Sequence, residues 1–130
     1  VSFITDKENL MNELVWRFIR QANAEFFNYK LEYFQAIQFA RYRDGGHYDW
    51  HVDTGNSVCH RKLSFTIQLS DDKDYVGGDV EFIGSKVHTE ALRQKGVCII
   101  YPSFLPHRVT KVSKGTRHAI VGWIHGPTFK

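Results

Sequence analysis

In the first quarter of the chain, apolar residues recur at the spacing of a helix. The apolar stripe runs through Leu10, Leu14, Phe18 and Ala22. Ahead of it, Thr5 and Glu8 have the spacing of a capping box, in which two side chains satisfy backbone N–H groups at the start of a helix. The pattern predicts an amphipathic helix over about residues 6–27 whose apolar stripe packs on a sheet.

Beyond Leu31 the apolar pattern changes to a period of two, which is typical of strands. A first extended segment runs through Tyr42 and is broken by the Gly45-Gly46 pair. Further strands are predicted at about 47–53, 61–70, 79–83, 86–93, 97–101, 107–112 and 116–125. Glycines mark the turns between them, including a turn at Lys114-Gly115. One helix followed by about eight short strands predicts a mainly β protein with an N-terminal helix, for which the jelly roll is the standard eight-stranded arrangement.

Length and composition fit one domain. The 130 residues are 42% hydrophobic and 15% aromatic, which is enough for a single core of ordinary size. No linker, low-complexity stretch or internal repeat divides the sequence. We therefore expect a single domain over residues 1–130, with about 1–30 as helical support and about 31–126 as the jelly-roll core.

Charge and the start of the chain bear on partners and location. The 17 Lys and Arg give a net charge of +3 and form no run of five, which argues against nucleic acid as a partner. No apolar run reaches the length of a membrane span, so no membrane partner is expected. No signal peptide is visible, and we expect a cytoplasmic protein. The chain starts with Val1 rather than methionine, so this expectation does not cover a truncated N-terminal piece.

Several common chemistries lack their motifs. The two cysteines, Cys59 and Cys98, have no metal-binding spacing and form no disulfide framework, so we expect buried or half-buried thiols. A Gly-x-Ser-x-Gly nucleophile elbow is absent from the sequence, and so is a Gly-rich phosphate loop. A serine or cysteine hydrolase is therefore disfavoured.

Histidine–carboxylate pairs at positions i and i+2 are the first candidate chemistry. On a strand such side chains point to the same face, so they can offer an imidazole and a carboxylate to one cation. The chain contains three such pairs: His47 with Asp49, His51 with Asp53, and His88 with Glu90. Each pair alone is more often a surface or turn feature. A further ligand from another strand would complete the two-histidine, one-carboxylate site of non-haem Fe(II) oxygenases.

The C-terminal third carries the residues that distinguish between these pairs. His107 opens a strand, and on the next strand Arg117 shares one face with Val121 and Trp123. Arg117 is thus a fixed cation among core-like neighbours, which is costly without a partner. A carboxylate ligand would supply that partner through a bidentate fork. The alternative is an arginine whose stem packs while its head reaches solvent.

Taken together, these motifs resemble those of a known enzyme superfamily. His51-Val52-Asp53, followed far downstream by His107 and then by Arg117, resembles the Fe(II)/2-oxoglutarate oxygenases. The flanking segments are similar to the PKHD-type branch of the prolyl 4-hydroxylase family over about residues 31–126. These segments are Tyr42–Asp53, Arg61–Ser70, Asp74–Asp79 and Tyr101–Thr110.

The resemblance implies a fold, a metal site and an activity. The fold would be the double-stranded β-helix, a jelly roll, and Fe(II) would be held by His51, Asp53 and His107. The enzyme would be a 2-oxoglutarate-dependent dioxygenase that uses dioxygen and 2-oxoglutarate, with ascorbate as a helpful reductant. Zinc, nickel or manganese could occupy the same site in a purified sample.

Four further positions match co-substrate residues of the family. Arg117 would bind the distal carboxylate of 2-oxoglutarate, and the Tyr42 hydroxyl would point toward the co-substrate. Trp123 would line the pocket near the metal. Gln68 occupies a position where several relatives carry an aromatic residue, sometimes a tyrosine that helps to hold 2-oxoglutarate, so the affinity for the co-substrate could differ.

The substrate is implied less specifically. The resemblance points to a prolyl residue in a peptide or protein, and Tyr48, Trp50 and Arg61 flank the expected mouth of the site. A free amino acid or a small metabolite would use the same core. Two other functions stay open on the sequence: a cupin-like metal-binding protein, which would not need Arg117, and a non-catalytic binding module.

Overall fold

The computed structural model describes residues 2–3, 9–35, 37–55, 58–84 and 89–128. The helical elements are α1 (Asn9–Ala22), a π-helical turn (Asn23–Phe27) and α2 (Thr89–Leu92). The strands are β1 (Ser2–Phe3), β2 (Tyr33–Phe34), β3 (Gln38–Arg43), β4 (Tyr48–His51), β5 (Arg61–Gln68), β6 (Tyr75–Gly77), β7 (Val80–Phe82), β8 (Cys98–Pro102), β9 (His107–Val109) and β10 (Val112–His125). The predicted capping pair, Thr5 with Glu8, and His88 lie outside the described residues.

The end of the N-terminal helix is fixed by asparagines. The Asn23 amide nitrogen donates to the carbonyl of Tyr29 (2.8 Å), and its amide oxygen accepts from the Tyr29 backbone N–H (2.9 Å). Asn28 takes the left-handed conformation (φ 54°) that often ends a helix. The helical segment therefore ends at Phe27, where the apolar pattern predicts it.

The described strands form two antiparallel sheets. The larger, seven-stranded sheet follows the order β1-β3-β10-β5-β8, and β2 and β6 also pair with β10. The smaller sheet follows the order β4-β9-β7. Strand β10, with 14 residues, pairs along its length with β6, β3, β5 and β2, so it connects most of the larger sheet.

The two faces of β10 bury different groups because side chains alternate along a strand. Ile120 and Ile124 belong to an apolar core that also contains Ile19 of α1. The opposite face carries Arg117 and Trp123, which line a cavity together with residues of the smaller sheet. Each fully buried isoleucine contributes about 1.5–3 kcal/mol to stability, so the core face holds the strand in the register that the cavity face requires.

The predicted strand pattern is wrong at residues 89–92 and at Gly115, and it omits β6 at Tyr75–Gly77. Residues 89–92, predicted within a strand over 86–93, form the short helix α2, because Glu90-Ala91-Leu92 are good helix formers and none is β-branched. Gly115 does not end a strand: it lies within β10, opposite Tyr75 of β6. An added Cβ there would meet the Asp74 carbonyl oxygen, so this glycine permits a close approach of two backbones.

Among the described residues, no helix has the length and apolar character needed to cross a bilayer.

Candidate active site

Strand pairing brings the three predicted ligands together. His51 ends β4, Asp53 follows two residues later, and His107 opens β9 directly opposite His51 in the antiparallel register. The Asp53 Oδ1 atom lies 3.4 Å from the Nε2 atom of each histidine. The candidate ligand atoms of these residues, called the triad below, all lie within 4.8 Å of one another.

Backbone carbonyls orient both imidazoles. The Nδ1 atom of His51 lies 2.7 Å from the carbonyl oxygen of Asp49, and that of His107 lies 2.9 Å from the carbonyl oxygen of Leu105. Since a carbonyl only accepts hydrogen bonds, Nδ1 carries the proton in each ring and Nε2 presents a lone pair. Both lone pairs therefore face the Asp53 carboxylate, which is the arrangement found in metal-ligating histidines.

The Asp53 carboxylate is held through its other oxygen. Its Oδ2 atom accepts hydrogen bonds from the Ser64 hydroxyl (2.5 Å) and from the Trp123 indole N–H (3.0 Å). Ser64 is in turn 2.9 Å from the hydroxyl of Ser103, whose carbonyl accepts from the Asp53 backbone N–H (2.9 Å). The carboxylate is buried, and its Oδ1 atom is left to face the two imidazoles.

The triad suits a divalent metal with nitrogen and oxygen ligands. Two neutral imidazole nitrogens and one carboxylate oxygen converge, and each is fixed from behind by a hydrogen bond. Burial is the largest influence on His107 and lowers its pKa, so this ring favours the neutral form that a metal requires. Fe(II) fits such a donor set, and so do zinc, nickel and manganese.

A buried tyrosine closes the wall beside the triad. The Tyr101 hydroxyl is 3.3 Å from His107 Nε2, and the Phe82 ring packs edge-on against the Tyr101 ring at 4.9 Å. Burial raises the pKa of the Tyr101 phenol far above its ordinary value, so the phenol stays protonated. Tyr101 therefore offers an uncharged hydroxyl to whatever occupies the cavity.

The triad lies in a cavity of about 300 Å³ that extends to Arg117. This is the lower end of the range for small-ligand sites. The walls combine polar groups with apolar side chains, including Val80 and Val109 of the smaller sheet. Of the predicted site residues, those lining it are His51, Asp53, His107, Arg117, Tyr42, Trp123, Tyr48 and Arg61.

Arg117 is a buried cation at the far end of this cavity. It is 1% exposed, its Nε–H donates to Gln68 Oε1 (3.1 Å), and its guanidinium carbon lies 5.2 Å from the centre of the Tyr42 ring. Within the described ranges, no carboxylate forms an ion pair with it. Burial lowers its pKa, opposed first by Tyr42, but arginine remains protonated in proteins.

Gln68 lies outside the cavity lining. Its amide oxygen accepts from Arg117, and its amide nitrogen donates to the carbonyl of Leu92 (2.9 Å). The side chain is 1% exposed. Both ends of the amide are therefore engaged with the protein.

The three predicted substrate residues occupy different surroundings. Tyr48 packs against His51 with ring centres 4.0 Å apart, and Arg61 lies 3.9 Å above the Trp123 ring. Trp50 is not among the residues that line the cavity, and its ring packs under Arg108 at 4.7 Å. The structure thus brings Tyr48 and Arg61 to the cavity and leaves Trp50 on an outer surface.

The residues that support the site from behind were not predicted from the sequence. Ser64 and Ser103, which hold Asp53, were not singled out, nor was Gln35, whose side-chain oxygen accepts from Arg61 Nε (3.2 Å). One signal was available: Ser64 sits between two apolar core residues in a strand that is buried along most of its length. A polar residue at such a position needs a partner.

A family comparison identifies the superfamily. The sequence model of the 2OG-Fe(II) oxygenase superfamily matches residues 37–125, a range that contains the triad and Arg117. The chain therefore belongs to the 2OG-Fe(II) oxygenase superfamily, as its motifs predicted.

Curated relatives are named PKHD-type hydroxylases. One from Maricaulis maris (strain MCS10) is 38% identical over 89 residues, covering 68% of this chain and 41% of that protein. Another from Acaryochloris marina (strain MBIC 11017) is 43% identical over 92 residues, with 68% and 41% covered. The chain thus spans about two-fifths of the length of these relatives.

Solved structures confirm the predicted double-stranded β-helix. A prolyl-4-hydroxylase from Pseudomonas putida superposes with a TM-score of 0.69 at 21% identity, covering 88% of this chain and 62% of that one. The viral collagen prolyl hydroxylase of Paramecium Bursaria Chlorella virus-1, in its 2OG complex, gives 0.71 at 17% identity, covering 98% and 79%. At these identities the likeness concerns the fold.

Proposed function

We propose that this chain is a single domain forming the catalytic core of an Fe(II)- and 2-oxoglutarate-dependent dioxygenase that hydroxylates an unactivated C–H bond. One observation carries the proposal: three metal-ligand atoms converge at one place in a cavity, and a buried guanidinium lies at another. A chelating co-substrate with a second, distal carboxylate needs both features at once.

The triad would hold the iron. His51, Asp53 and His107 would supply three ligands, and sites of this kind keep further positions open for a co-substrate and dioxygen. The hydrogen bonds from Ser64 and Trp123 to Asp53 would hold the carboxylate in place for the metal.

Arg117 would anchor the distal carboxylate of 2-oxoglutarate. Its guanidinium is buried without an acidic partner in the described part of the chain, so an incoming carboxylate would offset its desolvation. Tyr42, beside the guanidinium, and Trp123, beside Asp53, would border the co-substrate. Gln68 would act by holding the Arg117 Nε–H rather than by touching the ligand.

The oxidation itself would be supplied by iron and its co-substrates and not by side chains of the protein. Iron with 2-oxoglutarate and dioxygen supplies the oxidation, in which decarboxylation of the co-substrate to succinate and carbon dioxide accompanies hydroxylation of the substrate. The residues of this chain orient the reactants and limit water, through apolar walls such as Val80 and Val109. No general acid or base is required of them.

For the substrate, we propose a prolyl residue in a peptide or protein. The support is that the sequence relatives are PKHD-type hydroxylases and that the structural neighbours include prolyl hydroxylases. Tyr48 and Arg61 line the cavity and would contact such a substrate. Free amino acids and small metabolites are the alternatives, and a substrate screen of both kinds distinguishes them.

Succinate formation tests the activity without knowledge of the substrate. The protein, Fe(II), ascorbate and 2-oxoglutarate are incubated under air, and succinate is measured for the parent and for Asp53→Ala. We expect succinate from the parent and a loss of at least about 100-fold in Asp53→Ala, since a ligand of the metal is removed. Asp49→Ala is the matched control, because it removes an exposed carboxylate outside the triad and keeps the backbone carbonyl that bonds to His51 Nδ1.

Two outcomes would contradict the proposal. Equal succinate from the parent and Asp53→Ala would show that the triad does not hold the active metal. A folded, iron-loaded parent that neither forms succinate nor binds 2-oxoglutarate would indicate a non-catalytic or cupin-like metal protein. If the chain is instead a cupin-like enzyme, Arg117→Met should keep whatever metal-dependent activity the parent has, because such a protein does not need Arg117.

A further inference from the structure

Arg93, which follows α2, has all its terminal hydrogen-bond donors engaged. Its Nη1 atom donates to the Gly77 carbonyl (2.5 Å) and to Asp79 Oδ1 (2.8 Å). Its Nη2 atom donates to the carbonyls of Tyr75 (2.8 Å) and Asp72 (3.2 Å). A guanidinium has four N–H bonds on these two nitrogens, so each of them meets an acceptor.

All four acceptors belong to the segment between β5 and β7. The Arg93 guanidinium also lies 4.1 Å above the ring of Tyr75 from this segment. Arg93 is mostly buried, with 14% of its side chain exposed. Charge-assisted hydrogen bonds in such a setting are the strong kind, so Arg93 holds this segment in one conformation.

The segment that Arg93 holds is the packing wall of Arg117. A Cβ placed on Gly78 would lie 3.3 Å from Arg117 Cδ and 3.3 Å from Tyr75 Cδ2, so the Gly78 backbone packs on the aliphatic stem of Arg117. Gly78 has φ +64°, which a glycine adopts without strain. A shift of this segment would therefore change the room available to the Arg117 stem.

Residues 92 and 93 are also connected to Arg117 through hydrogen bonds of Gln68. Leu92, the residue before Arg93, accepts through its carbonyl from Gln68 Nε2 (2.9 Å), and Gln68 Oε1 accepts from Arg117 Nε (3.1 Å). Residues 92–93 thus hold both the packing wall and the hydrogen-bond partner of the buried guanidinium. Neither Leu92 nor Arg93 carries out any part of the proposed reaction.

We propose that Arg93 is a positioning residue that sets where Arg117 presents its guanidinium, and thereby selects co-substrates by their distal carboxylate. The inference rests on the proposed role of Arg117. Removing Arg93 would take its four hydrogen bonds away from this segment, while the pairing of Tyr75–Gly77 with β10 would remain. The triad would be unchanged, because it is held by Ser64 and by the carbonyls of Asp49 and Leu105. The loss of binding would therefore concern the distal carboxylate of 2-oxoglutarate and not the end that would chelate the metal.

The test compares two ligands that differ at that end. Isothermal titration calorimetry on the Mn(II)-loaded protein under nitrogen measures the dissociation constants of 2-oxoglutarate and of 2-oxopentanoate, which has the same chain length but no distal carboxylate. For Arg93→Met we expect about tenfold or greater weakening for 2-oxoglutarate, the range for loss of an orienting partner, and no change for 2-oxopentanoate. Mn(II) affinity should stay unchanged.

Further variants make the test decisive. Asp79→Asn removes one charged acceptor of Arg93 and should give the same selective loss in smaller measure, so it decides the question if Arg93→Met does not fold. Arg20→Met, which removes an exposed arginine over Trp16 on α1, is the control and should change neither constant. In an Arg117→Met background, the additional Arg93→Met substitution should not raise the dissociation constant of 2-oxoglutarate any further.

The possible failures are distinguishable. Unchanged 2-oxoglutarate affinity in folded Arg93→Met, or equal weakening of both ligands, would overturn the positioning role while the proposed function stands. If instead the parent does not bind 2-oxoglutarate, or Arg117→Met binds it as well as the parent, the role of Arg117 fails and the inference on Arg93 fails with it.

Discussion

At the scale of single residues, the two oxygens of Asp53 have separate partners. Oδ2 is held by Ser64 and Trp123, whereas Oδ1 faces the two imidazoles. A carboxylate with one oxygen fixed cannot rotate freely, so the Asp53 oxygen that would ligate the metal is held facing the two imidazoles. Loss of this orientation should therefore lower the affinity for the metal.

Replacing Ser64 tests that orientation. In Ser64→Ala, the shortest hydrogen bond to Asp53 is lost, and we expect Mn(II) affinity to fall about 10- to 100-fold. Titration followed by electron paramagnetic resonance measures the dissociation constant. The control is Ser70→Ala. Ser70 is also buried, but its hydroxyl accepts from the His118 backbone N–H and not from the triad, so this variant should bind Mn(II) as the parent does. Equal affinities for all three proteins would show that Ser64 does not orient the ligand.

The two cysteines differ in a way that composition did not predict. Cys59 is exposed, although a buried or half-buried thiol was expected, and Cys98 is half-buried as expected. Burial raises the pKa of the Cys98 thiol to about 11. The reactive species is the thiolate, so at pH 8 only about one Cys98 in a thousand is reactive.

Alkylation should therefore separate them. With iodoacetamide at pH 8, we expect modification of Cys59 first and slow modification of Cys98, measured by peptide mass spectrometry. The Cys98 rate should rise about tenfold per pH unit up to its pKa, because the thiolate fraction does so. In Cys59→Ser, rapid labelling of Cys98 at pH 8 in the folded protein would refute the assignment.

At the scale of elements, pairing of strands far apart in the chain creates the site. The register of β4 with β9 sets His51 opposite His107, and the alternation along β10 sends Arg117 and Trp123 to the cavity. That alternation was predictable from the sequence, since a period of two needs only local information. The β4–β9 register was not, because spacing along a chain does not state which strands pair.

The errors at this scale have physical causes. A strand over 86–93 is predicted because strands and turns alternate regularly along the chain. Glu90, Ala91 and Leu92 have high helix propensity, so this segment forms a short helix instead. The sequence predicts a turn at Gly115 because glycine favours turns, but the same lack of a side chain also permits the close backbone contact that the structure shows. Strand β6, at Tyr75–Gly77, was missed because its glycine-containing sequence resembles a loop.

Gly122 gives an element-scale prediction. A Cβ there would meet two ring atoms of Phe65 at 2.5 Å, in the middle of the β10–β5 pairing. Gly122→Ala should therefore destabilise the protein by about 1–3 kcal/mol through overpacking. Urea unfolding measures this, and the control is Gly55→Ala, since no atom of the described residues lies within 4 Å of a Cβ added there. Equal midpoints for both variants would contradict the packing of β10 on β5.

At the scale of the whole molecule, the core and the site share one sheet. The face of the larger sheet that packs on α1 buries Ile19, Ile37 and Ile124, and its other face borders the cavity. A catalytic site on a rigid sheet keeps its geometry better than one on loops. The family, the fold and the ligand residues could be proposed from motifs, whereas the hydrogen bonds behind Asp53 and Arg117 required the structure.

The triad and Arg117 are proposed to form one site for Fe(II) and 2-oxoglutarate. The most direct measurement is the visible absorption spectrum under nitrogen, as Fe(II) and then 2-oxoglutarate are added. A 2-oxo acid chelated to Fe(II) gives a charge-transfer band that neither component shows alone. We expect this band in the parent, its loss in Asp53→Ala, and a higher 2-oxoglutarate requirement in Arg117→Met. A parent that binds iron but shows no band at saturating 2-oxoglutarate would show that 2-oxoglutarate does not chelate the iron at this site.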